Sequence, residues 1–122
     1  MQDFRRLLVW SKSHSAALEI YRMTERIPRR YNADLINQVR RAALSIPANI
    51  AEGSSRATDR DFARFLQIAL ASASELESHL QFVADAGLID QSAFVARQIE
   101  LVEIRKMLVG LIKRMTGRSK AG

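Results

Sequence analysis

The run Ala42-Ala43-Leu44-Ser45-Ile46-Pro47-Ala48-Asn49-Ile50-Ala51-Glu52-Gly53 constrains this chain more than any other part of it. Ile36, Val39, Ala43, Ile46 and Ile50 recur at steps of three and four, which places them on one apolar face of an α-helix. Gln38, Arg41, Ser45, Asn49 and Glu52 recur at the same steps and form a polar stripe beside it. Pro47 lies inside this pattern. Its ring removes an N–H donor and crowds the carbonyl of Ala43, a defect that costs about 3 kcal/mol in a helix interior. The helix must therefore kink or restart near Ser45.

The rest of the chain reads as three further helices, which makes the fold class all-α. The first is expected from Trp10 to Arg26, ending ahead of Ile27-Pro28 because a residue before proline is pushed out of the helical region. Leu18 and Tyr21, with His14 or Ala17 one turn earlier, are expected on its inward face. The second spans Ala33 to Ser54. The third runs from Asp59 to Ala86, with Thr58 as N-cap, acids in its first turn and Gly87 as a C-terminal cap. Phe62, Phe65 or Leu66, Ala69, Ala73, Leu76, Leu80 and Val83 make its core stripe, and Phe82 is read as core as well. Alanines and serines from Ala69 to Ser74 make its middle slim enough for a neighbour to approach closely. The fourth starts at Asp90 or Ser92 and continues to Met115. It carries two adjacent apolar rows: Leu101, Ile104, Leu108, Leu111 and Met115, then Val95, Ile99, Val102, Val109 and Ile112. Short links between four helices point to an antiparallel up-down four-helix bundle. The second row exceeds what a small bundle covers, so self-association is expected. Residues 1–122 form one domain, with 116–122 read as a flexible basic tail.

Composition narrows the function. At 122 residues and 48% hydrophobic content the chain can bury a core. It has no stretch of eighteen apolar residues and no cysteine, which excludes membrane spans, disulfides and thiol chemistry and fits a cytoplasmic location. The net charge is +6, and the excess lies in Arg105, Lys106, Lys113, Arg114, Arg118 and Lys120, a segment with no acid. A basic surface of this kind suits RNA or DNA.

Catalytic constellations are missing. His14 and His79 have no partner at metal-ligand spacing, Glu75 and Glu77 face different ways, and no histidine is near Ser45 in the sequence. No enzyme activity, cofactor or metal is expected. The polar stripe is read as a buried network with the third helix, in which Gln38, Arg41, Ser45, Asn49 and Glu52 meet residues such as Ser72 and Glu75. Arg40, Arg41, Arg56, Arg60 and Arg64 form a second constellation whose guanidinium groups can grip a phosphate backbone. With few aromatics free to stack on bases, such binding is electrostatic and weakly sequence-specific.

Leu8-Val9-Trp10, Tyr21 with Thr24 and Pro28, Gln38 to Ala43, Ser45 to Gly53, Phe62 to Leu66 and Ala73 to Glu77 together form a recognisable pattern. It resembles the four-helix bundle proteins first noticed as reading frames in intervening sequences of bacterial 23S ribosomal RNA genes. The resemblance spans roughly Phe4 to Met115, is most specific in the Ser-Ile-Pro-Ala-Asn-Ile-Ala-Glu-Gly run, and is carried by pattern alone in the last helix. It implies an up-down bundle that assembles as a ring, commonly a homopentamer. The family is also similar to the accessory variability determinant of diversity-generating retroelements, a basic pentameric barrel that works with a reverse transcriptase and nucleic acid. That likeness implies a nucleic-acid-facing role for Arg40, Arg41, Arg60 and Arg64. The resulting expectation is a non-enzymatic homo-oligomer that binds RNA or DNA. Its alternative is a scaffold for a protein partner whose basic charge serves solubility.

Overall fold

The structure, a computed structural model, describes residues 3–121, with side chains over 3–117. A single 3-10 turn, Phe4–Arg6, leads into four helices: α1 (Leu8–Glu25), α2 (Ala33–Ser54), α3 (Asp59–Asp85) and α4 (Gln91–Ala121). No strand occurs among the described residues. α1 and α3 each pack against both α2 and α4, which closes the helices into a four-membered bundle. Cross-helix partners run in opposite numerical order. Lys12 reaches Glu103 while Glu19 reaches Arg97, and Ser45 meets Ser72 while Gly53 approaches Phe62.

The core follows the expected stripes on α2 and α3. Ile36, Val39, Ala43, Ile46 and Ile50 are buried, as are Phe62, Leu66, Ala69, Ala73, Leu76, Leu80 and Val83. Leu101, Ile104, Leu108 and Met115 complete it from α4. Each large aliphatic side chain removed from water in this way contributes roughly 1.5–3 kcal/mol. α2 runs unbroken through Pro47, so there is no restart near Ser45. The ring of Pro47 is buried, and Asn49 Nδ2 donates to the Ser45 carbonyl at 2.8 Å, adding a bond within the turn the proline disturbs.

Two glycines set the corners. Gly87 has φ +74°, the left-handed conformation that glycine adopts without a Cβ penalty. Its N–H donates to the Ala84 carbonyl and that of Leu88 to the Val83 carbonyl, so the last carbonyls of α3 are satisfied by a glycine-terminated cap. At Gly53 a Cβ would lie 2.8 Å from both Phe62 Cδ1 and Phe65 Cβ, so only glycine lets the end of α2 approach the start of α3 this closely. Thr58 caps α3 by accepting from the Asp61 N–H at 3.1 Å.

Three readings of the sequence need correction. The inward face of α1 is Val9, Ser13, Ala16, Ala17, Ile20 and Thr24, and Leu18 and Tyr21 face outward. Ser13 and Thr24 can be buried because their hydroxyls donate to the carbonyls of Trp10 and Tyr21 one turn back. Small residues on this face also let α1 lie close to its neighbours. Phe82 is 61% exposed, because it lies about 100° around α3 from buried Val83. α4 continues past Met115 to Ala121. The side chains of residues 118–122, which carry part of the basic tail read over 116–122, lie outside the described residues. The second apolar row of α4 is left uncovered, in line with its excess over what a small bundle buries: Val95, Ile99 and Val109 are exposed, Val102 is half-buried, and only Ile112 is buried.

Candidate nucleic-acid interface

The α2–α3 corner brings Arg56, Arg60 and Arg64 together. Gly53 ends the close contact of the two helices, the chain turns through residues 55–58, and Thr58 starts α3 so that Arg60 and Arg64 share a face one turn apart. Phe65 organises the group, with the guanidinium carbon of Arg56 4.5 Å from its ring centroid and that of Arg64 4.6 Å away. Both are cation–π distances. Asp61 Oδ1 accepts from Arg64 Nε at 3.1 Å, its other oxygen lies 4.0 Å from Arg56 Nε, and Glu52 pairs with Arg56. These pairs are solvent-exposed, so they orient the side chains more than they stabilise the fold. Arg60 is exposed and has no ion-pair partner among the described residues. Arg60 and Arg64 line a shallow depression with Ala57, Thr58 and Gln67.

Arg40 and Arg41 belong elsewhere, roughly 20 Å up the axis of α2 at 1.5 Å per residue. Arg40 is half-buried against α1. Its Nε donates to Thr24 Oγ1 at 2.8 Å, and its guanidinium lies 3.9 Å from the centroid of the Tyr21 ring. That makes it a tie between α1 and α2 with one face still open. Arg41 is exposed on the outer side of α2.

The polar stripe closes into a network only at its middle. Ser45 Oγ and Ser72 Oγ are 2.8 Å apart, and Asn49 Nδ2 donates to Ser45 Oγ at 3.0 Å. The rest of the expected buried network is not there: Gln38, Arg41, Glu52 and Glu75 are exposed. Glu52 turns to Arg56 and Glu75 to His79, because i, i+4 partners on their own helix or its end are nearer than α3 or α2.

Charge reading of the sequence missed the way the ends combine. The N-terminal turn packs on α2, and Arg6 and Leu8 line a cavity with Met107 and Arg114 of α4. The start of the chain, the α2–α3 corner and the late part of α4 therefore share one end of the bundle. Arg5, Arg6, Arg56, Arg60, Arg64, Lys113 and Arg114 outnumber Asp3, Glu52, Asp59 and Asp61 there. Only the three-dimensional arrangement could reveal this sum, since its members come from three separate stretches of sequence.

Fold and surface define a small all-α bundle with a basic end, in which the described residues hold no cluster fit for a metal ion and no helix long and apolar enough to cross a membrane. The chain belongs to the 23S rRNA-intervening sequence protein family, whose model matches residues 5–110. Among solved structures it is similar to a protein of unknown function from the S23 ribosomal protein family of Bacteroides thetaiotaomicron VPI-5482. The two share 28% sequence identity with a TM-score of 0.77, over 87% of this chain and 99% of that one. No curated protein matches it.

Proposed function

We propose that this chain is a non-enzymatic, self-associating bundle whose basic end binds RNA or DNA through the phosphate backbone. The observation that carries the reading is the convergence of Arg5, Arg6, Arg60, Arg64, Lys113 and Arg114 at one end, with Arg60 free of ion pairs among the described residues. Guanidinium forks match phosphate geometry, and Arg56 and Arg64 are held in place by Phe65. Contacts to the phosphate backbone carry no base information, so specificity is weak. Self-association is supported by two apolar patches on different helices. One is Val95, Ile99 and Val109 on α4, and the other is Leu18, Tyr21 and Leu44 on α1 and α2. Patches that differ join head to tail, the arrangement that closes into rings, and the family resemblance implies a homopentamer. The location is cytoplasmic, where nucleic acid is at hand.

The test is anisotropy of labelled RNA and DNA across a salt titration, with mass from light scattering on the same sample. For about three phosphate contacts, affinity falls roughly forty-fold between about 50 and 200 mM salt. Arg60→Glu with Arg64→Glu weakens binding and leaves the helical signal intact. Binding that ignores salt, or a double variant that binds as well as the parent, refutes the reading.

The α1–α2 groove favours a second reading, a scaffold for a protein partner. Leu18, Tyr21 and Leu44 surround the fixed Arg40, and exposed tyrosine and arginine held rigid are the residues that dominate protein interfaces. A pull-down that recovers a protein through this groove, with no nuclease-sensitive material, would favour it.

A further inference from the structure

We propose that the cavity between the N-terminal turn and α4 is a binding site for an amphiphilic monoanion, an acyl chain ending in a carboxylate. The cavity is an open groove of about 400 Å³. That falls within the roughly 300–1,000 Å³ of small-molecule sites, which combine apolar walls with a few polar groups. Leu8, Met107 and Leu111 supply the walls, and Arg6 and Arg114 are the charged residues of the lining. Leu8 is 63% exposed at the start of α1, beside buried Val9, so its wet surface faces open space rather than core.

Two further observations specify the ligand. Among the described residues no carboxylate lines the cavity, and neither Arg6 nor Arg114 has an ion-pair partner. Two exposed, unpaired arginines bordering an apolar groove are complementary to a molecule with one anionic head and an apolar body. Gly110 lines the same cavity in the interior of α4, where glycine costs about 1 kcal/mol relative to alanine. A Cβ at this position would touch nothing within 4 Å, so packing of the bundle does not require the glycine. What its missing side chain provides is room. The acyl chain lies along Leu8, Met107 and Leu111 across this gap, and the carboxylate takes the forked donors of the arginines.

The experiment is calorimetric titration of the full chain with dodecanoate below its micelle concentration, alongside dodecanol and dodecyltrimethylammonium, which share the chain but not the charge. Dodecanoate binds, dodecanol binds about five-fold more weakly, as expected for the loss of one partly exposed charge contact, and the cation does not bind. Gly110→Leu fills the cavity and abolishes binding while its thermal melt stays at or above that of the parent. Arg114→Gln, at an exposed position, weakens dodecanoate by about five-fold and leaves dodecanol unchanged. Should Gly110→Leu disturb the melt, Arg114→Gln decides alone. Equal binding of dodecanoate and dodecanol, unchanged binding in Gly110→Leu with an intact melt, or no binding to the parent overturns the proposal. So does capture of phosphatidylglycerol vesicles without binding of free dodecanoate.

Discussion

Gly53→Ala tests whether the α2–α3 corner is as tight as its geometry indicates. The added Cβ would sit 2.8 Å from Phe62 Cδ1 and Phe65 Cβ and 3.2 Å from the Phe62 carbonyl oxygen. Phe62 is buried and the other two atoms are backbone or next to it, so the helices themselves must move. Overpacking of this kind costs about 1–3 kcal/mol. Against it stands the helix preference of alanine over glycine, at most about 1 kcal/mol and less one residue from the end of α2. The steric cost wins, leaving a net loss of roughly 1–2 kcal/mol. For a chain of this size that lowers the thermal midpoint by about 4–8 °C. Gly110→Ala is the internal control, because its Cβ meets nothing and the same substitution should raise the midpoint by about 3–4 °C. The assay is a circular-dichroism melt of both variants and the parent at one protein concentration, since self-association makes midpoints concentration-dependent. A Gly53→Ala midpoint at or above that of the parent would refute the argument, showing that the corner has slack.

Ser45→Ala leaves Ser72 Oγ without its partner and Asn49 Nδ2 with one fewer acceptor, and urea unfolding should show a loss of about 1–2 kcal/mol. Adding Ser72→Ala should cost less than the sum of the single changes, because both partners of the bond are then gone. Arg40→Ala removes a side-chain hydrogen bond and a stacked cation at the α1–α2 seam, and should lower stability by about 1–2 kcal/mol in the same assay. Ile99→Glu places a charge in the exposed apolar row of α4 and should reduce the mass seen by light scattering, with the far-ultraviolet spectrum unchanged.

Much of the fold could be read from residue order because its signals are redundant. The bounds of α2 agree with its sequence pattern from Ala33 to Ser54, since the apolar repeat, Asn32 before it and the small-polar link after it point to one element. Thr58 and Gly87 mark the ends of α3 by their own backbone chemistry. Side-chain size points to the wrong face of α1, because Ser13 and Thr24 satisfy their hydroxyls locally and so bury at low cost. The ends of the polar stripe were misassigned because periodicity reports direction around a helix and not the distance to a neighbour. For the arginines, sequence could count charges but could not show that Arg40 is spoken for by Thr24 and Tyr21, or that Arg6 and Arg114 border one groove.

Pro47 also bears on how the basic corner comes into being. Beyond it, α2 has only the stretch Ala48–Ser54, about seven residues, where an isolated helix needs roughly 12–15 to hold together in water. Proline blocks the first half of α2 from propagating helix into that stretch by a full ladder of hydrogen bonds. The last turns of α2 therefore depend on packing against α3, where Gly53 lies against Phe62 and Phe65. Arg56, two residues beyond the end of α2, rests on Phe65 of α3 and so depends on the same packing. A peptide of residues 48–66 would carry every arginine of the corner and none of its arrangement, so the spacing of these charges is a property that arises and vanishes with cooperative folding.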